Sequence, residues 1–163
     1  MNERKKTSYV STIIFCFIGL ILGILLRKYV IEIERVSGES MYPTLNDKEY
    51  ILVSKVTSEY KRGDIIIFDS NDYANNLYIK RIIGIAGDHI KIANGKVYLN
   101  NKQLKEDYLS NDIVTEGEVD LIVPKGEYFV LGDNRENSKD SRAIGTIKEK
   151  YIKSKLKLEL TLK

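Results

Sequence analysis

Apolar and polar positions divide the chain into two unlike parts. From residue 8 to residue 26 no side chain is charged, and positions 13–26 are almost wholly apolar. Nineteen helical residues rise roughly 28 Å, close to the ~30 Å hydrocarbon core of a bilayer. The pattern predicts one N-terminal membrane-spanning helix. Beyond residue 31 the apolar residues gather into short β-branched or aromatic runs: Tyr50-Ile51-Leu52-Val53, Ile65-Ile66-Ile67-Phe68, Ile79-Lys80-Arg81-Ile82-Ile83, Val97-Tyr98-Leu99 and Tyr128-Phe129-Val130-Leu131. Each is bounded by Gly, Asn, Asp or Pro, which predicts strands. Tight turns are expected at Arg62-Gly63-Asp64, Gly87-Asp88, Asn94-Gly95, Asn100-Asn101 and Pro124-Lys125-Gly126. Asn94-Gly95, between Ile90-Lys91-Ile92 and Val97-Tyr98-Leu99, is the clearest hairpin signal. No useful helical period appears after the first segment, and the polar stretches 70–76 and 107–118 read as long loops.

The expected architecture is therefore mainly β, an antiparallel sheet domain over residues 32–163 behind a cytoplasmic N-terminus and single anchor over residues 1–31. About 130 residues suffice to bury a hydrophobic core. The single Cys16 lies in the anchor, so disulfides do not contribute. A secretory signal peptide also starts basic and then apolar, but this run is longer than a usual h-region and leads into Arg27-Lys28-Tyr29 without a small-x-small exit. Arg4, Lys5 and Lys6 precede it against Arg27 and Lys28 after it, which favours a cytoplasmic N-terminus and an extracytoplasmic β domain.

Charge narrows the function classes. The formal net charge is +3, but five of the 26 Lys/Arg and one of the 23 Asp/Glu lie before Glu32, leaving 21 and 22 in the rest. The basicity belongs to the anchor's flanks and gives no support for nucleic-acid binding. Lys148, Lys150, Lys153, Lys155 and Lys157 alternate with apolar residues, as on a solvated strand face.

Candidate chemistry begins at Ser37-Gly38-Glu39-Ser40-Met41-Tyr42-Pro43-Thr44-Leu45, just after the apolar segment. A serine attacks a carbonyl only when a base takes its proton, and a single histidine leaves little room for a Ser-His-Asp arrangement. His89, following Gly87-Asp88, reads as a surface residue; no Cys/His cluster suggests a metal. Lys80 is the candidate base. In a strand it points with Tyr78 and Ile82, and apolar surroundings lower a lysine pKa. Gly132-Asp133-Asn134-Arg135-Glu136-Asn137-Ser138-Lys139-Asp140-Ser141-Arg142 is a third dense polar segment, directly after an apolar strand.

Together these segments make the chain resemble the type I signal peptidases, membrane-anchored Ser/Lys proteases, in their compact Gram-positive form. The resemblance rests on the anchor, the Ser40 segment, Arg62-Gly63-Asp64-Ile65-Ile66-Ile67-Phe68, Lys80-Arg81-Ile82-Ile83-Gly84-Ile85-Ala86-Gly87-Asp88 and the last polar segment. It implies Ser40 as nucleophile, Lys80 as general base and Ser138 as the hydroxyl orienting that lysine. Asp140 with Arg142, and Asp133 with Arg81, are implied supporting ion pairs, while Gly132, Asn134 and Asn137 shape the backbone. Val36, Leu45 and Ile79 match positions lining small-residue pockets, with plain core as the equal alternative for each. The implied substrates are signal-peptide-bearing pre-proteins cut after Ala-x-Ala-type sites at the cell membrane, with the lipid bilayer as the other partner and no cofactor, metal or nucleic acid.

Three positions depart from the family pattern. Gly38 stands where some members have a serine hydroxyl in the oxyanion hole, leaving the N–H groups of Ser40 and Gly38 as expected donors. Ala86 replaces a frequent proline, and Glu136 a frequent aspartate. Met41, Tyr42, Phe68 and Tyr73 are candidates for an apolar rim at the lipid interface. A self-cleaving Ser/Lys regulator would carry a DNA-binding module instead of an anchor, and a silent tethered scaffold would not need Ser40, Lys80 and Ser138 together.

Overall fold

The computed structural model describes residues 3–57, 59–69, 76–110 and 113–160. Its first element is α1 (Glu3–Tyr29). Within it, Ser11–Tyr29 has a mean hydropathy of 2.0 and none of its residues buried, so the helix is long and apolar enough to cross a membrane.

Among the described residues the rest is β1 (Ile31–Arg35), β2 (Tyr50–Ser54), β3 (Ile65–Asp69), β4 (Leu77–Gly84), β5 (His89–Ala93), β6 (Lys96–Leu99), β7 (Lys102–Gln103), β8 (Val119–Ile122), β9 (Glu127–Leu131), the short α2 (Ser141–Ile144), β10 (Ile147–Lys148), a single 3-10 turn (Glu149–Tyr151) and β11 (Ile152–Leu160). One sheet runs β1-β2-β11-β3-β4-β9-β10 and a smaller one β7-β6-β5-β8. Every pairing is antiparallel. The fold is thus the mainly β architecture that the pattern of short runs predicts.

The expected runs become β2, β3, β4, β6 and β9. At the predicted hairpin, Ala93 faces Lys96 across a turn in which Asn94 and Gly95 have φ of 52° and 75°. Both central residues of such a turn need positive φ, which Asn and Gly tolerate best. The alternating stretch near the C-terminus forms β11, but in the interior of the large sheet between β2 and β3. There Ser154 is buried and Lys155 Nζ donates to Asp64 Oδ2 at 2.5 Å, so this face is less solvated than its lysines suggest. β1 escapes the apolar-run criterion because its alternate positions are charged. The expected loop at 107–118 contains no strand in its described part, and nearly all of that at 70–76 lies outside the described residues.

Three apolar clusters fill the interior. β3 divides two of them: Ile65 and Ile67 pack with Val36, Met41, Leu45, Ile51 and Val53, while Ile66 and Phe68 pack with Ile82, Val130 and Ile147. A strand buried on both faces explains the unbroken run Ile65-Ile66-Ile67-Phe68. Met41 and Phe68 are 1% and 0% exposed, so neither belongs to an apolar rim; each is needed to close the core. Tyr42 is exposed, and Tyr73 lies outside the described residues. The third cluster, with Ile83, Ile90, Ile92, Val97, Val123, Phe129 and Leu131, joins the small sheet to β4 and β9.

The polar segment after β9 is held from both sides. Arg135 is fully buried; its guanidinium donates to Glu106 at 2.5 and 3.0 Å, to Thr115 Oγ1 at 2.7 Å and to the Gly132 carbonyl at 3.0 Å. On the other side, a Cβ at Gly132 would lie 2.1 Å from Ser138 Oγ and 2.5 Å from the Ser40 carbonyl oxygen. Only a glycine lets these three backbone stretches meet.

Two stability outcomes follow. Removing Glu106 strands a buried guanidinium, so Glu106→Ala is expected to lower the unfolding free energy in urea by about 3 kcal/mol, whereas truncating the exposed Lys105 leaves it unchanged. Gly132→Ala is expected to destabilise the fold and stay destabilising when combined with Ser138→Ala, because the Ser40 carbonyl still blocks the methyl group. Full recovery in that double variant would contradict the packing described.

Candidate active site

Ser40 lies in the turn between β1 and β2, and backbone contacts fix that turn on two sides. The Val36 N–H donates to the Glu49 carbonyl at 2.8 Å and the Lys48 N–H to the Val36 carbonyl at 2.9 Å. Gly38, with φ of +90°, donates its N–H to Asp47 Oδ1 at 2.9 Å. From the segment after β9, the Asn134 N–H donates to the Ser40 carbonyl at 3.0 Å and its Nδ2 to the Glu39 carbonyl at 3.1 Å. The expected pair of free oxyanion donors is therefore reduced to one. Asp47 occupies the Gly38 N–H, because the carboxylate and the positive-φ turn together satisfy an otherwise exposed amide. The Ser40 N–H makes no hydrogen bond among the described residues.

Lys80 comes from β4 at the point where its neighbour runs out. Arg81 still faces Leu131 in β9, but Lys80 lies beyond the last paired residue and faces Ile66 on the other side. Its stem shares strand parity with Tyr78 and Ile82, as the alternation predicts, and the Tyr78 ring lies 5.4 Å from Nζ. The amine reaches Ser40 Oγ at 2.7 Å and the Ile79 carbonyl oxygen at 2.8 Å. Lys80 is only 1% exposed. Burial drives its pKa down to about 8, against the opposing pull of Asp140 and Asp133.

Those two carboxylates do not act on the lysine as bare charges. Asp140 accepts from Arg142 Nε and Nη2, both at 2.9 Å, and from the Gly132 N–H at 3.0 Å; it also caps α2 through the Arg142 N–H. Asp133 accepts from Arg81 Nε at 2.9 Å and Nη2 at 2.6 Å, and from Thr44 Oγ1 at 2.5 Å. Both expected pairs are present: Asp133–Arg81 ties the polar segment to β4, while Asp140–Arg142 closes within it and Arg142 Nη1 reaches out to the Glu116 carbonyl at 3.2 Å. The Arg81 guanidinium also lies 4.0 Å from the Tyr108 ring centroid, a contact with no sequence signal. Thr44, Asp47, Tyr108 and the Arg135–Glu106 pair are participants that sequence reasoning missed.

Ser138 is placed close by but bonded differently from expectation. Its hydroxyl is buried against Gly132 and makes no hydrogen bond among the described residues, Lys80 included. In this structure the Ile79 carbonyl, not Ser138, orients the amine. Asn137 donates its N–H to Asn134 Oδ1 at 3.3 Å, the Asx-type turn its position suggests.

A cleft of about 260 Å³ runs beside Ser40 and Lys80, lined on one side by residues 34–38 and on the other by Leu77, Tyr78 and Ile79, with Met41 and Ile67 at its base. Val36 and Ile79 both line this cleft. Leu45 does not line the cleft: it is wholly buried in the first apolar cluster, behind the turn. His89 pairs with Asp120 at 2.6 Å on the small sheet. Among the described residues no group of three or more His, Cys, Asp or Glu could hold a metal ion.

Comparison with known proteins agrees over most of the chain. The family described as "Signal peptidase, peptidase S26" matches residues 9–160. Signal peptidase I P of Bacillus subtilis subsp. natto is 39% identical, with 93% of this chain and 88% of that protein aligned. Signal peptidase I S of Bacillus subtilis (strain 168) is 36% identical with the same coverage. Signal peptidase IB of Staphylococcus aureus (strain COL) is 33% identical, again over 93% and 88%. The crystal structure of a signal peptidase I from Enterococcus faecalis V583 superposes with a TM-score of 0.53 at 31% identity, covering 61% of this chain and 97% of that one. With relatives at this identity over nearly its full length and a fold to match, the chain belongs to the signal peptidase family, peptidase S26, as a type I signal peptidase.

Proposed function

We propose that this signal peptidase works through a Ser40/Lys80 dyad, cutting exported pre-proteins after small residues of the Ala-x-Ala kind. The observation that carries the reading is the 2.7 Å contact between Ser40 Oγ and a buried Lys80 amine. A neutral amine has two N–H bonds and one lone pair. One N–H is directed at the Ile79 carbonyl, which leaves the lone pair for the Ser40 hydroxyl proton. Ser40 Oγ attacks the scissile carbonyl as Lys80 takes that proton, and the ammonium then protonates the leaving amine. Water, activated by the same lysine, releases the acyl-enzyme. The Ser40 N–H is the donor available to the developing oxyanion.

The substrate lies extended in the cleft between residues 34–38 and 77–80, held partly by main-chain hydrogen bonds as in strand addition. Val36, Met41 and Ile79 leave room for small side chains near the cut. The Ser11–Tyr29 helix anchors the enzyme in the cell membrane with its N-terminus in the cytoplasm, where the basic residues before the helix outnumber those after it. Tethering enzyme and pre-protein to one bilayer raises their effective concentration.

Full-length protein in detergent is expected to cut a pre-protein bearing an Ala-x-Ala site, and Ser40→Ala and Lys80→Ala are each expected to lower the rate by at least about 10³-fold. Equal cutting by Ser40→Ala would remove the enzyme reading and leave a tethered scaffold. The pH dependence has a definite sign. The base works only when neutral, so with a pKa of about 8 the rate rises with pH through that region and levels off above it. At pH 7 only about one molecule in ten is poised. A limb centred near 6.5, or a flat profile, would contradict Lys80 as the base.

A further inference from the structure

β1 has its polarity reversed for an outer strand. Ile31 and Ile33 are 40% and 60% exposed, while Glu32 and Glu34 on the other face are half-buried. Side chains alternate along a strand, so Glu34 faces the same way as Val36, and both line the cleft that leads to Ser40 and Lys80. The same cleft is lined by Leu77, Tyr78 and Ile79 of β4. A carboxylate in such surroundings is costly unless a cation meets it.

The protein does not supply that cation in full. Lys55 Nζ is 2.8 Å from Glu32 Oε2 and acts on Glu34 only at longer range. Arg35 is engaged elsewhere: its Nε donates to the Lys48 carbonyl at 3.3 Å and its guanidinium lies 5.9 Å from the Tyr50 ring centroid. Glu34 lies within hydrogen-bond reach of Glu32, and among the described residues the only cation ion-paired to either of them is Lys55, on Glu32. Burial, and then the neighbouring Glu32, push the Glu34 carboxyl above its ordinary value, as expected for an acid without a full counter-charge.

We propose that Glu34 is a specificity-determining residue that selects a basic side chain upstream of the scissile bond and disfavours an acidic one. The proposal rests on the endopeptidase reading of the same cleft. β1 starts two residues after α1 ends, so Glu34 sits at the helix end of the cleft, where the upstream part of a membrane-held substrate enters. Glu34 is two strand positions, about 7 Å, beyond Val36 on the same face of the cleft wall, so the substrate residues placed to meet it are those just upstream of the small-residue pockets, about the fourth to sixth before the cut.

The test uses full-length enzyme in detergent and peptides with one Ala-x-Ala site, carrying Lys or Glu at the fourth, fifth or sixth position before the cut. The readout is the Lys-to-Glu ratio of kcat/KM within each enzyme, which cancels any general loss of activity in a variant. For wild type the ratio is expected to reach about fivefold at one of the three positions, the size of a partly exposed ion pair. Glu34→Gln is expected to bring it close to one, and Glu34→Lys to invert it. A wild-type ratio near one at every position, or a ratio that survives Glu34→Gln, overturns the proposal. If wild type cuts none of the peptides, the endopeptidase reading fails first and this proposal falls with it.

Discussion

Everything at this site depends on keeping one lysine amine out of water. Lowering the Lys80 pKa from 10.5 to about 8 is a differential cost of roughly 3 kcal/mol between its two protonation states, and burial supplies it. That burial comes from the sheet. β4 presents Lys80 where β9 stops, the polar segment after β9 closes over the gap, and Ile66 and Tyr78 flank the stem. A lysine one turn further out, in solvent, would remain an ammonium and would hold no lone pair for Ser40.

The surrounding charges read as structural devices that must not undo this. Asp133 and Asp140 both favour the ammonium form, yet they are needed to fix the polar segment. Each is therefore matched by an arginine in two-point contact, Arg81 or Arg142, which lessens its field at the amine while holding its loop. Arg135 and Glu106 repeat the scheme at greater depth. The Ser40 turn is pinned in turn by Asp47 and Asn134, so both halves of the proposed dyad are set by contacts that span distant parts of the chain.

The sequence makes some of this legible and conceals the rest for physical reasons. Lys80 and Ser40 are visible because their neighbours are distinctive, and the parity of β4 correctly puts Tyr78 and Ile82 with the lysine. The Asx-rich segment announces a turn, and its two Asp–Arg pairs follow from the family pattern. The use of Gly38 is invisible, because a side-chain carboxylate nine residues away takes its N–H, and no local pattern encodes that bond. Ser138 illustrates the same limit: a segment can bring a hydroxyl to the site while packing against Gly132 decides what it bonds. Met41 and Phe68 read as an interfacial rim in one dimension and are core in three, since β3 is covered on both faces. β1 is missed because its charged positions are the half-buried ones, an inversion that only the cleft explains.

The central claim is that Lys80 is neutral at a pH where a solvated lysine is charged, and it is tested most directly by titrating the side chain itself. Lysine labelled at the ε-carbon, assigned by comparison with Lys80→Arg and followed by NMR in the full-length protein in detergent, reports the amine without reference to turnover. The account predicts one lysine signal titrating near pH 8 that is missing from the variant. A Lys80 signal that titrates near the ordinary lysine value of 10.5 would contradict it.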